Sequence, residues 1–180
     1  MPDNEADYGD HEADPQDLEE ADELTTEALI WQLLLLVNPG DEETALRQFS
    51  HYREALQEAG EEAEPVWTLK DAIDWTSGFF VDWKDKESFI DSVTELARRW
   101  NLEIDWGGDP SDEDFLDGTD VPALMAIAYD RLREYGYTLW TWDTGSDNYG
   151  GWASSSRDDE AMRLVATALN IELRPGSDSF

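Results

Sequence analysis

No cysteine occurs among the 180 residues, which excludes disulfides, thiolate nucleophiles and thiolate-ligated metal sites. The longest apolar run, residues 29 to 37, is interrupted by Gln32 and is far shorter than the roughly 20 residues that cross a bilayer. The first residues are acidic, whereas a secretory signal peptide begins with a basic region followed by an apolar one. Together these features predict a protein of the reducing cytoplasm without a membrane span.

Basic residues are scarce as well. Only 12 Lys and Arg stand against 44 Asp and Glu, which gives a formal net charge of -32. Such a chain is repelled by nucleic-acid phosphate and by anionic lipid, and it attracts cationic surfaces over long range. The charge therefore predicts a basic protein partner and no nucleic-acid or membrane partner. An alternative is that the acidity serves solubility in a salty cytoplasm, as it does in the proteins of salt-loving organisms.

The motifs of nucleotide enzymes are also missing, since the chain has neither a Walker loop nor a Gly-x-Gly-x-x-Gly segment. The two histidines are His11, in the acidic N-terminal region, and His51, in a predicted amphipathic helix. Neither has the neighbours that activate a general base. The sequence predicts no cofactor and favours a protein that is not an enzyme.

Residues 1–23 contain 11 acidic residues, no Lys or Arg and few large apolar groups. We expect a disordered acidic tail here, because the segment has too little apolar surface to bury. Residues 24–176 are predicted to form a single globular domain, and residues 177–180 a frayed C-terminus. Beyond residue 23 the chain keeps 33 acidic and 12 basic residues, a formal charge of -21, so the tail does not account for the acidity.

Hydrophobic periodicity predicts two leading helices, the first capped by Thr25 or Thr26 and ending at Val37, the second capped by Asp41. A short helix from Thr68 follows, and then strands alternate with helices. The predicted strands are residues 79–83, 102–106, 137–142, 152–155 and 171–173, and the later helices are residues 85–100, a segment with Pro122 in its first turn, and a segment capped by Ser156. The alternation indicates βαβ units. We therefore predict an α+β or α/β fold with a small sheet of three to five strands covered by helices.

Carboxylates and aromatic residues follow two of the predicted strands. Because strand ends share a rim in an α/β sheet, we expect one binding site there, for a sugar, a cationic peptide or an Arg-rich surface. The alternative is that these residues only pack against one another. The predicted site residues are Asp105, Trp106, Asp109, Trp142, Asp143, Asp147, Asn148, Tyr149 and Trp152. Four other tryptophans, Trp75, Trp83, Trp100 and Trp140, are predicted to pack in the core.

The tetrapeptide from Asp143 to Ser146, Asp-Thr-Gly-Ser, resembles the catalytic signature of pepsin-like and retroviral aspartic proteases. Those enzymes need a second aspartate and an all-β fold, and the sequence offers neither a second copy nor an all-β pattern. We therefore predict that Asp143 caps a turn. The acidic loops 143–151 and 109–117 do not fit an EF-hand. The first lacks the glycine at position six of the EF-hand loop and the terminal Glu, and the second has Leu116 where a ligand should stand. No metal site is predicted.

The segment from Tyr137 to Trp152, YTLWTWDTGSDNYGGW, together with the acidic leader and the helical first half, resembles an uncharacterised bacterial family of small acidic cytosolic domains, a domain of unknown function. The resemblance implies no activity.

The leading hypothesis is a non-enzymatic acidic binding protein that neutralises or regulates a basic protein, as bacterial immunity proteins do. A second hypothesis is a hydrolase or carbohydrate-binding domain that uses the Asp and Trp rim, with Asp105 and Asp143 as the carboxylate pair of a glycosidase. The third is that the charge serves solubility alone.

Overall fold

The strands of this chain assemble into one antiparallel sheet. The computed structural model describes residues 15–60, 64–73 and 77–179, with the backbone alone for residues 15–25 and 59. Four strands are present in this part of the chain: β1 (Gly78–Asp82), β2 (Tyr137–Trp142), β3 (Asn148–Ser155) and β4 (Leu173–Pro175). Their order is β1-β3-β2-β4, and each neighbouring pair is antiparallel. Strands β1 and β2 therefore point the same way on either side of β3.

Helices cover both faces of the sheet. The described helices are α1 (Pro15–Val37), α2 (Glu42–Ala59), α3 (Pro65–Ala72), α4 (Lys86–Arg98), α5 (Glu113–Asp117), α6 (Val121–Glu134) and α7 (Asp159–Ala168), with 3-10 turns at Ser156–Asp158 and Gly176–Asp178. Aspartates begin four of them. Asp41, Asp85, Asp112 and Asp120 each accept a hydrogen bond from a backbone N–H in the first turn of α2, α4, α5 and α6.

Alternating side chains of each strand enter two separate cores, because successive residues of a strand point to opposite faces. The first core packs the sheet against α1, α2, α3 and α7 and includes Leu34, Tyr52, Leu69, Trp140, Trp152 and Met162. The second core packs the other face against α4 and α6 and includes Val81, Phe89, Leu96, Leu124, Leu139 and Ala153. The predicted α+β class, with a small sheet covered by helices, is confirmed.

The predicted βαβ units are wrong, because no described strand pair is parallel. Residues 102–106 form no strand. Helix α4 ends in a tight turn in which Asn101 has a φ of 57° and Leu102 N–H donates to Ala97 O at 3.0 Å. Leu102, Ile104 and Trp106 then pack on the second core, so their alternation reflects burial against helices and not a strand ladder.

Other predicted boundaries also change. Helix α1 begins at Pro15 and not at a Thr25 or Thr26 cap, since Pro suits the first helical turn. Helix α3 begins at Pro65 and not at Thr68. Ser156 begins a 3-10 turn and does not cap α7. Strand β3 starts at Asn148 and not at Trp152, and the last strand lies two residues later than predicted.

The tryptophans predicted as core residues have different outcomes. Trp140 is fully buried, whereas Trp100 is half-buried and stacks on Tyr137 with the ring centroids 3.9 Å apart. The prediction for Trp83 is wrong, because 48% of this residue is exposed directly after the end of β1. Trp75 lies outside the described residues, as do His11 and residues 1–14 of the predicted tail.

A buried polar network joins α1, α2 and α4. Asn38 donates to Gln48 Oε1 at 2.8 Å, Gln48 donates to Ser77 Oγ at 2.8 Å, and Ser77 donates to Asn38 Oδ1 at 2.6 Å. Arg99 Nη2 also donates to Asn38 Oδ1 at 2.6 Å, and Arg99 Nη1 donates to Val37 O at 3.2 Å. The guanidinium thus binds carbonyl oxygen at the C-terminal end of α1, where the helix dipole favours a cation.

Over the described ranges, no helix combines the length and the apolar character that spanning a membrane requires.

Candidate functional site

The chain between α4 and α6 carries a long acidic segment, which we define as residues 103–120. Its eight carboxylates are all exposed: Glu103, Asp105, Asp109, Asp112, Glu113, Asp114, Asp117 and Asp120. The sequence from Trp100 to Asp130 contains no Lys, Arg or His. The acidic segment therefore presents negative charge without neutralising residues of its own.

Aromatic contacts hold the acidic segment against the second core. Trp106 is 4% exposed, and its ring lies 6.2 Å from that of Phe89 in α4. Phe115 of α5 packs on the same core and lies so close to Gly108 that a Cβ there would enter its ring. These contacts fix the path of the backbone that carries the carboxylates.

Backbone and hydroxyl groups orient several of these carboxylates. Asp105 Oδ1 accepts from Gly107 N–H at 3.0 Å. Asp109 Oδ1 accepts from the hydroxyl of Ser111 at 2.6 Å and from its N–H at 2.9 Å, and these two bonds lower the pKa of Asp109. The charged form of Asp109 is thus favoured in the fold.

A cleft of about 230 Å³ lies at the end of the sheet where β1 and β2 finish and β3 begins. Its lining combines aromatic rings with polar groups: Trp83, Trp142, Asp143, Thr144, Ser146, Asp147, Asn148 and Tyr149. Asp143 and Asp147 are exposed. Both can accept hydrogen bonds from a cationic group that enters the cleft.

The turn between β2 and β3 is ordered by its own polar groups. Asp143 Oδ1 accepts from Gly145 N–H at 2.9 Å, which confirms that Asp143 caps a turn, and Gly145 has a φ of 68°. Thr144 Oγ1 donates to Asn148 O at 2.8 Å. The backbone N–H of Trp83 donates to Asp147 O at 3.0 Å, so the backbone of Trp83 lies beside the turn.

Tyr149 connects the cleft with the acidic segment. Partial burial raises the pKa of the Tyr149 hydroxyl, and the negative charges of Asp120 and Asp147 raise it further. Asp120 belongs to the acidic segment and Asp147 to the turn before β3, so carboxylates from two distant parts of the chain act on one phenol. We call the surface formed by Asp82, Trp83, Asp120, Asp143, Asp147 and Tyr149 the acidic edge.

Two lysines accompany the acidic edge. Lys84 Nζ lies 5.1 Å from the centre of the Trp83 ring, and Lys86 Nζ donates to Leu116 O at 2.6 Å. Lys86 thus binds the C-terminal turn of α5, where a helix favours a cation. The four carboxylates of the acidic edge exceed these two positive charges.

The structure separates the nine residues predicted as one site. Trp142, Asp143, Asp147, Asn148 and Tyr149 line the cleft. Trp106 is buried in the second core, on the opposite face of the sheet from Trp142 and Trp152 in the first core. Asp105 lies 4.0 Å from Arg131 Nη2 of α6, and Asp109 lies in the acidic segment. Trp152 lines a different cavity.

Sequence reasoning missed Asp82, Trp83 and Asp120 as members of this surface. The position of Trp83 at the end of an apolar run predicts a core residue, and Asp120 stands in a loop far from residues 143–152 in the sequence. The signal for Trp83 was its place beside Asp82, at the point where the strand ends. Only the antiparallel arrangement of β1, β2 and β3 brings Asp82, Asp143 and Asp147 to one end.

Neither acidic loop gathers metal ligands. Within the part of the chain that the structure describes, no group of three or more His, Cys, Asp or Glu side chains is arranged to hold a metal ion.

Comparison with known proteins gives one match. The family described as Domain of unknown function (DUF6630) matches residues 29–176, which include all four strands of the sheet. No curated protein and no solved structure matches the chain.

Proposed function

The chain belongs to the DUF6630 family, whose function is not known, and we propose that it is a non-enzymatic binding protein that captures a basic protein at the acidic edge. In this proposal the complex forms in a bacterial cytoplasm and neutralises or regulates the partner, as an immunity protein does for a toxin. The observation that carries the proposal is the convergence of the exposed carboxylates of Asp143 and Asp147 and the indole of Trp83 on one cleft at the end of the sheet.

Convergence matters because scattered charges would act weakly. Exposed charges farther apart than about 8 to 10 Å are largely screened at physiological ionic strength. Carboxylates grouped around one cleft act together on a cation that approaches it. Their sum raises the association rate with a basic surface and disfavours acidic partners.

The aromatic rings of the acidic edge favour arginine among cationic side chains. Trp83 is 48% exposed, and a guanidinium can stack on an indole while its N–H groups bind carboxylates. Asp143 and Asp147 line the same cleft as Trp83. We therefore propose an Arg-rich surface on the partner.

The experiment compares three full-length proteins as baits for affinity capture at low salt. One is the wild type, and one carries Asp120→Asn, Asp143→Asn and Asp147→Asn. These changes remove three negative charges while Asn keeps the acceptor that caps α6 and the turn. The control carries Glu134→Gln, Glu160→Gln and Asp178→Asn, with the same change in net charge near the opposite end of the sheet.

We expect one basic protein to be retained by the wild type and by the control, and its affinity for the acidic-edge variant to be about tenfold or more lower. The affinity is measured with the purified partner. Equal affinity for the control and the acidic-edge variant would show that net charge alone is responsible, and this result would contradict the proposal.

Salt separates this proposal from the solubility hypothesis. Affinity for a basic partner falls as KCl rises, since counterions screen the acidic edge. A protein whose charge serves solubility alone instead gains free energy of unfolding steeply between low and molar KCl, and it captures no partner. The hydrolase and carbohydrate hypothesis has less support, because Asp105 lies beside Arg131 and does not line the cleft that contains Asp143.

A further inference from the structure

The cleft of the acidic edge has the size of a single side chain. Its volume is about 230 Å³, whereas pockets for drug-sized ligands measure about 300–1,000 Å³. Both of its aspartates, Asp143 and Asp147, are exposed, so the cleft can be reached from solvent. It therefore suits one projecting group of a partner better than a larger ligand.

The carboxylates of the cleft keep acceptor sites that the fold does not use. Asp143 accepts a hydrogen bond from Gly145 N–H on one oxygen, Oδ1. The described residues place no hydrogen-bond donor on the carboxylate of Asp147. Because an ionised carboxylate has about four lone-pair sites, the two aspartates can together accept several N–H groups from a molecule that enters the cleft.

The protein already places one of its own cations on the aromatic wall of the cleft. Lys84 Nζ lies 5.1 Å from the centre of the Trp83 ring, within the roughly 6 Å of a cation–π contact. Lys84 is exposed, so its side chain can leave the ring without uncovering the core. Its backbone N–H donates to Asp82 Oδ1 at 2.9 Å, which holds the main chain in place when the side chain moves. The contact shows that this indole accepts a cation.

A guanidinium matches this combination of groups better than an ammonium does. It is planar, so it can stack on the indole while its N–H fork binds carboxylate oxygens in pairs. It is also more weakly hydrated than the compact ammonium of lysine. An arginine side chain from outside should therefore compete successfully with Lys84 for the Trp83 ring.

We propose that the cleft binds one guanidinium group, which stacks on Trp83 in place of the Lys84 ammonium and donates to the carboxylates of Asp143 and Asp147. This inference rests on the proposed function, since it assigns the contact of the partner in the cleft to a single arginine. It also goes beyond that function, because such a cleft binds a small guanidinium compound without the rest of the partner.

The first test titrates three small probes into the ¹⁵N-labelled full-length protein at constant ionic strength. The probes are the Nα-acetyl amides of arginine, lysine and citrulline, added up to about 10 mM, where a dissociation constant of about 1 mM is measurable. We expect the arginine probe to shift the backbone amides of residues 143–148 saturably. The lysine probe should bind about threefold to tenfold more weakly, and the uncharged citrulline probe more weakly still. Equal affinities of the arginine and lysine probes overturn the proposal.

Removal of the Lys84 ammonium tests the displacement. Lys84→Met keeps an unbranched side chain without the charge, and we expect it to bind the arginine probe about twofold to fivefold more tightly. Arg157→Met removes the same charge beyond the far end of β3 and should bind the probe as the wild type does, because salt screens a charge at that distance. In a Trp83→Ala background the gain from Lys84→Met should fall, since the ring for which both cations compete is gone. An equal gain in both backgrounds, or no gain, contradicts the proposal.

Failure of this inference can be separated from failure of the proposed function. If a basic partner binds the acidic-edge variant more weakly than the control, yet the arginine probe gives no saturable shift, the single-guanidinium site is wrong and the proposed function stands. If the probe binds the wild type, and Asp143→Asn with Asp147→Asn weakens this binding about tenfold, the site in the cleft is supported even where no basic protein is captured.

Discussion

The indole ring of Trp142 lies directly over Gly150, the residue that pairs with it across the β2–β3 ladder. A Cβ on Gly150 would stand 2.6 Å from Trp142 Cε2. On the opposite face, the ring of Phe79 covers Gly151 in the same way. The two glycines of β3 thus allow large rings to lie flat on the sheet. In this position Trp142 lines both the cleft of the acidic edge and the cavity that Trp152 lines.

Alanine at these glycines should destabilise the fold. At Gly151 a Cβ would collide with the Trp140 carbonyl oxygen. Because that oxygen belongs to the backbone of β2, it cannot rotate out of the way as a side chain can. We therefore expect Gly151→Ala to lower the free energy of unfolding by about 3 kcal/mol or more. At Gly150 the clash is with a side chain, and we expect about 1–3 kcal/mol. Urea denaturation measures both values.

The matched control is Gly118→Ala. Its Cβ would meet the nearest atom at 3.6 Å, an ordinary contact, and we expect a change below about 1 kcal/mol. If Gly151→Ala were as stable as Gly118→Ala, the ring packing on β3 described above would be incorrect.

Two adjacent arginines should differ sharply in their contribution to stability. The Arg99 side chain is 13% exposed and donates to Asn38 Oδ1 and Val37 O. Arg99→Ala removes charge-assisted bonds from buried acceptors, and we expect a loss of about 2–4 kcal/mol in the free energy of unfolding. Chemical denaturation followed by circular dichroism measures it.

Arg98 provides the comparison within the same turn. Its side chain is 67% exposed and pairs with Glu95 at 2.8 Å on the surface of α4. We expect Arg98→Ala to change stability by less than about 1 kcal/mol. Equal losses for the two variants would argue against the buried network of Asn38, Gln48, Ser77 and Arg99.

The titration of Tyr149 tests the convergence of charge at the acidic edge. Its pKa is raised above the ordinary 10.0, first by burial and then by Asp120 and Asp147. The variant with Asp120→Asn and Asp147→Asn should lower this pKa, which remains above 10.0 because burial persists. Tyrosine Cζ shifts in NMR report the titration, and Tyr52, whose pKa is raised by burial and Glu27, should not change.

The same shift predicts the sign of a stability change at alkaline pH. Because the folded state holds the Tyr149 proton more tightly than the unfolded state, its contribution to stability is complete below pH 10. It is lost as the pH rises through the higher pKa of the folded protein. An unchanged Tyr149 pKa in the double variant would contradict the proximity of Asp120 and Asp147.

Local features of the fold were readable from the sequence. Asp41 caps α2, Pro122 lies in the first turn of α6, and the bounds of β2 agree with the predicted strand 137–142. Each rests on a signal within a few residues, such as a cap, a proline or a run of β-forming side chains. The class of the fold followed from these elements, because helices and strands of these lengths require a sheet covered by helices.

The pairing of the strands was not readable. Leu102, Ile104 and Trp106 alternate as a strand does, yet they pack on the second core without a ladder, since alternation records burial and not hydrogen bonding. For the same reason the sequence predicts only part of the candidate site. Asp143 and Asp147 were grouped with Asp105 by an assumed parallel sheet, whereas the antiparallel sheet places them with Asp82 and Trp83.

Trp83 gives the last prediction, because its exposure conflicts with the burial expected of a tryptophan that follows a strand. An indole that is 48% exposed still buries about half of its surface, so we expect Trp83→Ala to lower the free energy of unfolding by about 1–3 kcal/mol. Its ring can stack on an arginine, and an exposed cation–π contact is worth about 0.5–1 kcal/mol. We therefore expect Trp83→Ala to bind a hexa-arginine peptide about twofold to fivefold more weakly, measured by isothermal titration calorimetry at low salt.

Leu164→Ala, which alters a residue that is 65% exposed on α7, should leave this affinity unchanged. A smaller effect of Trp83→Ala on a hexa-lysine peptide would support stacking, since an ammonium lacks the planar face of a guanidinium. Equal affinities of Trp83→Ala, Leu164→Ala and wild type for hexa-arginine would remove the indole from the binding surface and leave the carboxylates alone to attract the partner.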